Sequence, residues 1–476
     1  MVKQSFLFPH KLTKIVATIG PATEEKPVIE KMISAGMNVA RFNTKHGTPA
    51  WHQERIQRVR QVAQKMKIAV GVLLDLQGPE IRINLPGEAS FELKEGEQAV
   101  FSANKHRSDD NLILIPELVI ETLQEGNLVL LDDGICEFEI VKKTKDRLVV
   151  QALSDFTVQH RKTMNTPGVV IDMPSLIKND LVQLDGLSDE SIDFVGLSFV
   201  RDVKDIEILR KELKKRKITA QIVAKIENQA ALDNLDEIIT ASDAIMVARG
   251  DLAVEVPFEQ LAYWQKLIIS KCRYAGVPVI TATQMLKSMV DHPRPTRAEV
   301  SDVANAVYDY TSAVMLSEET TIGQYPVKSI ATQAKIVAFN EQQLIPDVED
   351  WLDETDAACI AHAAVYVLSH RADEIDTVIC LTETGATAKL LSRFRPRVPV
   401  KAVTSNQKTY QAMSVLYGVI PQVVDWSKEV LVKPKEMIKA LKKQKLVSKG
   451  QTVLVIHGDA WKKPGSTDTL SIVKIN

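Results

Sequence analysis

The sequence predicts an α/β protein: a parallel TIM-type (β/α)8 barrel with an inserted small β-barrel lid domain and a C-terminal open α/β domain. Three observations carry this. First, eight apolar runs end in polar or glycine residues, at 14–20, 38–43, 69–75, 193–199, 221–227, 244–251, 277–283 and 313–319. Helix-patterned stretches such as 27–35, 51–65, 203–214, 230–240 and 258–274 lie between them. Eight βα units close such a barrel. Second, more than 100 residues separate Asp75 from Asp193, too many for one crossover. Within that gap 91–93, 128–131, 136–140 and 147–150 read as short strands, with turns such as Asp132-Asp-Gly134. An insertion there sits over the barrel mouth, where a lid is useful. Third, the pattern changes after Pro346. An acidic stretch precedes a helix near 357–369, and strands at 377–382, 398–403, 420–424 and 452–457 alternate with helices. The expected division is 1–83 and 171–345 for the barrel, 84–170 for the lid and 346–476 for the C-terminal domain.

Composition narrows the function. The chain is 45% hydrophobic, enough for a large core. Its 59 basic and 61 acidic residues nearly cancel, which argues against a nucleic-acid partner recognised through net charge. Cys136, Cys272, Cys359 and Cys380 lie far apart without a CxxC pair, as expected of reduced thiols in a cytoplasmic protein. No 18-residue apolar span is present, so no membrane association is expected.

The strand ends carry the chemistry. Glu227 and Asp251 are two carboxylates facing one barrel mouth, able to hold Mg2+ or Mn2+ through hard oxygens. The competing reading is an ion pair with Arg249 or Lys225. Lys225 lies two residues before Glu227, so both share a strand face. A lysine beside a metal suits a phosphoryl group or an enolate; a structural salt bridge is the alternative. Thr283 ends another strand and can serve a substrate carboxylate or a water, or simply cap the turn. Arg41 and Asn43 end the second strand and Asp75 the third; a guanidinium there matches phosphate geometry. In the C-terminal domain Thr382-Glu-Thr384-Gly385-Ala-Thr387 follows a strand and opens a helix. It reads as a phosphate nest or as a plain cap. The late loop at 458–469, with Lys462 and Lys463, is placed to cover a ligand there.

These segments resemble the pyruvate kinase family over essentially the whole chain. The resemblance rests on Thr13-Lys-Ile-Val-Ala-Thr-Ile-Gly-Pro21, Ala35-Gly-Met-Asn-Val-Ala-Arg41, Gly78-Pro-Glu-Ile-Arg82, Leu131-Asp-Asp-Gly134 and Lys225-Ile-Glu-Asn228. It continues through Ile245-Met-Val-Ala-Arg-Gly-Asp-Leu252, Thr281-Ala-Thr-Gln-Met-Leu286 and Pro293-Arg-Pro-Thr-Arg-Ala-Glu299. It implies phosphoryl transfer from phosphoenolpyruvate to ADP, giving pyruvate and ATP. Glu227 and Asp251 would hold Mg2+. Lys225 would neutralise the transferring group, and Arg41 and Arg82 would clamp phosphates. Thr283 would serve the proton delivered to the enolate, with Ser317 as a further relay. Gly250 and Asp251 backbone groups would receive the substrate carboxylate. Asn43, His46 and Arg82 would face the nucleotide. It also implies a cytoplasmic homotetramer and a phosphorylated effector at Thr382, Thr384, Gly385 and Thr387. Asp75-Leu-Gln77 and Gly458-Asp459 lean toward members answering to AMP or sugar monophosphates. Two rival readings are a catalytically weak metabolite-binding homologue and another barrel enzyme of enolate chemistry that does not use ADP.

Three departures stand out. The family usually reads Arg-Leu-Asn-Phe-Ser-His-Gly where this chain has Arg41-Phe-Asn43-Thr-Lys45-His46-Gly47. In potassium-dependent members that serine joins the equivalents of Asn43, Asp75 and Leu76 around the ion. Lys45 is expected to supply the charge instead, although Glu80 is typical of potassium-dependent members; a Lys45–Glu80 pair reconciles the two. Glu318 stands where glycine or alanine is usual and should add repulsion. Asp309-Tyr310 lacks a common glycine, which should alter the local backbone.

Overall fold

The computed structural model describes residues 11–107, 109–345, 355–371, 373–425, 434–458 and 467–476. Eight parallel strands close a barrel: Lys14–Thr18 (β1), Val39–Asn43 (β2), Gly71–Asp75 (β3), Phe194–Leu197 (β4), Gln221–Ile226 (β5), Ala244–Ala248 (β6), Val279–Ala282 (β7) and Ala313–Leu316 (β8). All eight fall inside the expected runs. The strands are short and buried on both faces, as a helix-jacketed parallel sheet requires. Local chemistry sets the helix starts. Thr48 caps Pro49–Met66 by accepting the Trp51 N–H, and Thr296 and Glu299 form a reciprocal capping box on Arg297–Tyr308.

Two helices differ from expectation. The pattern over 230–240 is two helices, Gln229–Asp233 and Leu235–Ala241. Asn234 breaks them, and its amide donates to the Arg201 and Ala230 carbonyls. The pattern at 258–274 begins as a short 3-10 turn after Pro257 before Leu261–Tyr274.

The insertion follows β3. It holds a six-stranded sheet and a two-stranded sheet around one core of its own. Single-residue bridges Arg82–Thr163 and Asn84–Leu114 join the two edges of the larger sheet, so it curls back on itself. Strands Gln98–Ser102, Leu112–Leu114 and Phe156–Val158 were not read from the sequence. The last two are three residues long, too short to show an alternation.

The C-terminal sheet runs Val419–Val423, Val400–Thr404, Thr377–Leu381, Thr452–Gly458, Thr467–Lys474. The first four are parallel and the last is antiparallel. That last strand overturns part of the expected 458–469 loop. Thr467 and Thr469 pair with Gly458 and His457, while Lys462 and Lys463 lie outside the described residues.

Barrel side chains divide by strand face. One set packs outward onto the helices. The inward set includes Val16, Leu73, Phe194, Met246 and Met315, and belongs to the same cluster as Met413, Val415 and Leu416 of the C-terminal domain. Lys14 donates to the Val419 carbonyl at 2.6 Å, and the Gly418 N–H reaches the Leu12 carbonyl at 2.9 Å. The C-terminal domain thus closes the N-terminal end of the barrel.

Tyr310 keeps the left-handed conformation a glycine would take, with φ 66°. Arg273 lies 4.1 Å over its ring, and its hydroxyl donates to the Ile345 carbonyl at 3.0 Å. These contacts hold Tyr310 in that left-handed form.

Separate cores predict separate tolerance. Replacing residues 84–165 with a short linker should leave a barrel with one cooperative calorimetric transition. Removing everything after residue 344 strips Met413, Val415 and Leu416 from the barrel interior, each contributing about 1.5–3 kcal/mol. That truncation should show no cooperative transition. A cooperative melt from it would refute the shared core.

Candidate active site

The C-terminal strand ends deliver one polar cluster. Arg41, near the end of β2, donates from Nε to Asp75 Oδ2 at 2.6 Å, and from Nη1 to Thr18 Oγ1 at 2.9 Å. Lys225 of β5 lies 2.7 Å from Glu227 Oε1 and 3.6 Å from Asp75 Oδ1. It donates to Ser198 Oγ at 2.8 Å, and Ser198 donates to the Leu76 carbonyl at 2.7 Å. Glu227 Oε2 accepts the Phe199 N–H at 2.6 Å. Gly196 makes room for Asp75, since a Cβ there would stand 2.8 Å from Asp75 Oδ1.

One ammonium thus faces three carboxylates. Burial would lower the Lys225 pKa, but Asp75, Glu227 and Asp251 together raise it, so the lysine stays charged. Burial would raise Asp75; Lys225 and Arg41 outweigh it and hold Asp75 below the usual carboxylate range. Glu227 is less well served. Burial pushes it up to about 7, Lys225 opposing and Asp251 adding. The lysine rises because three carboxylates share it, and Glu227 rises because burial and Asp251 outweigh its part of that lysine. The contact at 2.7 Å is an ion pair without hydrogen-bond geometry, leaving Glu227 Oε1 and Asp75 Oδ1 as buried oxygens with no hydrogen-bond donor.

That arrangement fits a divalent cation. Glu227 and Asp251 offer hard oxygens where positive charge is short. Two carboxylates suit an ion such as Mg2+, which keeps waters and takes substrate oxygens; among the described residues no group of three potential metal-ligating side chains exists. The ion pair weighed for Glu227 exists with Lys225; Arg249 pairs instead with Asp302 at 2.6 Å.

Asp251 does not end a strand. It sits in the first turn of the helix Arg249–Glu255. Gly250 of that helix donates its N–H to Thr283 Oγ1 at 2.8 Å. Thr283 follows β7 with φ 68°, and Gln284 has φ 53°. Arg249 braces this turn by donating to the Ala282 and Thr283 carbonyls. Ser317 lies after β8, its N–H on Glu319. Glu318 pairs with Lys287, so the expected repulsion is met by a neighbouring cation.

The remaining expected residues line the approach. Asn43 Oδ1 accepts the Lys45 N–H at 3.1 Å, and the His46 side chain is exposed. Lys45 Nζ donates to Glu80 Oε1 at 2.9 Å, and Arg82 holds the other oxygen, Oε2, at 2.9 Å. A cleft between the insertion and the barrel is lined by Glu80, Thr163, Asn165, Phe199, Asn228 and Asp251. Asn165 crosses it to Glu255 at 3.0 Å.

Comparison with known proteins shows the family. The family description "Pyruvate kinase, barrel domain" matches residues 10–330, and "Pyruvate kinase, alpha/beta domain" matches 358–473. The chain belongs to the pyruvate kinase family. A pyruvate kinase of Sporosarcina psychrophila is 38% identical over 469 residues, covering 97% of this chain and 80% of that protein. One of Staphylococcus epidermidis is 37% identical over 472 residues, with the same coverage. A crystal structure of a pyruvate kinase from Cryptosporidium parvum matches with a TM-score of 0.89 and 31% identity, covering 98% of this chain and 96% of that one.

At the C-terminal position the hydroxyls are engaged locally. Thr382 Oγ1 accepts the Gly385 N–H at 3.0 Å, and Thr384 Oγ1 accepts the Ala386 N–H at 3.4 Å. Thr387 Oγ1 shares a hydrogen bond with Thr467 Oγ1 at 2.7 Å. Ser198, the Phe199 N–H, Thr18 and the Arg249–Asp302 pair were missed from sequence. Ser198 carried the same strand-end signal as Glu227. The others depend on pairing across strands.

Gly196→Ala should push Asp75 off Lys225 and Arg41. The variant should be less stable by on the order of 3 kcal/mol and lose catalysis, while Lys94→Ala, at an exposed position, serves as the control for handling. Wild-type stability in Gly196→Ala would show that Asp75 moves freely.

Proposed function

We propose that the protein transfers the phosphoryl group of phosphoenolpyruvate to ADP, giving pyruvate and ATP in the last step of glycolysis. One observation carries this: Lys225 Nζ stands among Asp75, Glu227 and Asp251, with Arg41 on Asp75. The cluster holds two cations against three carboxylates. A divalent ion on Glu227 and Asp251 reverses that balance and supplies electrostatic stabilisation of the enolate and phosphoryl oxygens.

The chain's own groups do the rest. Arg41 clamps the phosphoryl group as its bond to the enol oxygen breaks and a bond to an ADP β-phosphate oxygen forms. Lys225, held charged, neutralises both oxygens. Gly250 and Asp251 backbone groups receive the carboxylate. Thr283 aligns the water that delivers a proton to the enolate carbon, with Ser317 behind it. Asn43, His46 and Arg82 position the nucleotide. The insertion closes to exclude water. The enzyme acts in the cytoplasm as a homotetramer, with a phosphorylated effector at Thr382, Thr384, Gly385 and Thr387.

We further infer that Lys45 replaces a potassium ion. Leu76 O already accepts Ser198, Asn43 Oδ1 accepts the Lys45 N–H, and Lys45 Nζ neutralises Glu80. The ammonium thus supplies beside Asn43 and Leu76 the positive charge that the ion would bring.

Turnover should be equal in potassium and in tetramethylammonium buffers. Lys45→Ser should create a potassium requirement. Strong activation of the wild type by potassium would defeat this. For the divalent site, protons compete at Glu227. Mn2+ affinity, read by electron paramagnetic resonance, should rise about tenfold per pH unit below about 7 and level off above it. Glu227→Gln should abolish both the binding and the slope.

A further inference from the structure

We propose that His52, outside the reacting cluster, is a positioning residue that fixes the 44–48 turn against the nucleotide phosphates. This rests on the reading that the turn faces ADP.

His52 lies in the first turns of Pro49–Met66 and is 1% exposed. Its ring stands edge-on to Phe42, at 6.0 Å and 89°, and to Trp51, at 5.0 Å and 90°. Nε2 is 2.9 Å from the His46 carbonyl. A carbonyl only accepts, so Nε2 carries the proton. Nδ1 is then a buried acceptor, and it has no partner. Burial lowers the pKa of this histidine, which keeps the ring neutral.

An unmet buried acceptor is destabilising. A leucine would fill the apolar space without one. What leucine cannot do is hold the His46 carbonyl. His52 lies close under the turn: Gly47 is left-handed at φ 83°, and a Cβ there would come within 3.2 Å of His52 Nε2. Three further tethers complete the frame. Asn179 Nδ2 donates to Thr44 O at 3.2 Å, Gln183 Nε2 to Gly47 O at 3.2 Å, and Thr44 Oγ1 to Asp75 O at 3.0 Å. The last joins the turn to the residue that also pairs with Arg41 and Lys225. His46 is thereby held exposed over the mouth while its backbone is fixed from below.

The test compares His52→Leu, His52→Gln and His52→Asn in steady-state kinetics. His52→Leu should raise KM for ADP about tenfold, leave KM for phosphoenolpyruvate and kcat within about twofold, and melt no lower than wild type. Glutamine places an amide N–H at the Nε2 position and should restore KM for ADP. Asparagine reaches only the Nδ1 position and should not. An unchanged KM for ADP in His52→Leu, or equal rises for both substrates with a lower melting temperature, would overturn the proposal. Should His52→Leu fail to fold, Gln183→Leu cuts the neighbouring tether and must shift KM for ADP alone. Wild type without phosphoryl transfer would sink the parent reading instead. Calorimetric ADP binding to wild type and variants would then still decide the role of His52.

Discussion

Everything at the barrel mouth depends on one shared charge. Lys225 sits among Asp75, Glu227 and Asp251, and among the described residues no second cation meets Glu227. Burying carboxylates is costly unless they are paired. The structure answers that cost partly with Arg41 on Asp75 and partly with the Phe199 N–H on Glu227, and leaves Glu227 Oε1 and Asp75 Oδ1 without a hydrogen-bond donor. A fully neutralised cluster would be more stable and would have no use for a metal.

The rest of the fold serves to keep that cluster rigid. Barrel strands buried on both faces cannot shift without disturbing two cores. The C-terminal domain completes the inner one, so its placement is felt along the same strands that end in Arg41, Asp75 and Lys225. Tyr310 adds a strut at this junction, with Arg395 donating to its carbonyl. The inserted unit has its own core and touches the barrel at polar contacts such as Asn165–Glu255. The barrel is thus tightly coupled to the C-terminal domain below it and more loosely to the insertion above it.

The departures from the family pattern act in pairs. Lys45 meets Glu80, and Glu318 meets Lys287. The first pair was expected from the sequence; Glu318 was expected to add repulsion. In the fold each finds an opposite charge on a different loop. Lys45 and Glu80 could be matched because both lie in segments that carry the family resemblance, whereas Lys287, more than 30 residues before Glu318, gave no sign of its partner.

The sequence by itself determined the eight strands, the place of the insertion and the residues at the strand ends. Those properties are local: burial on both faces forces continuous apolar runs, and a strand that ends at a mouth must end in polar residues. Glu227, Lys225, Arg41 and Asp75 were legible for that reason. The short strands at 112–114 and 156–158, the antiparallel Thr467–Lys474, and the helical position of Asp251 were decided by tertiary structure. So were the sharing of Lys225, the bracing of Thr283 by Arg249 and the hold of His52 on His46. Each needs groups from separate βα units to meet at hydrogen-bond distance, and only closure of the barrel sets which strand ends are neighbours.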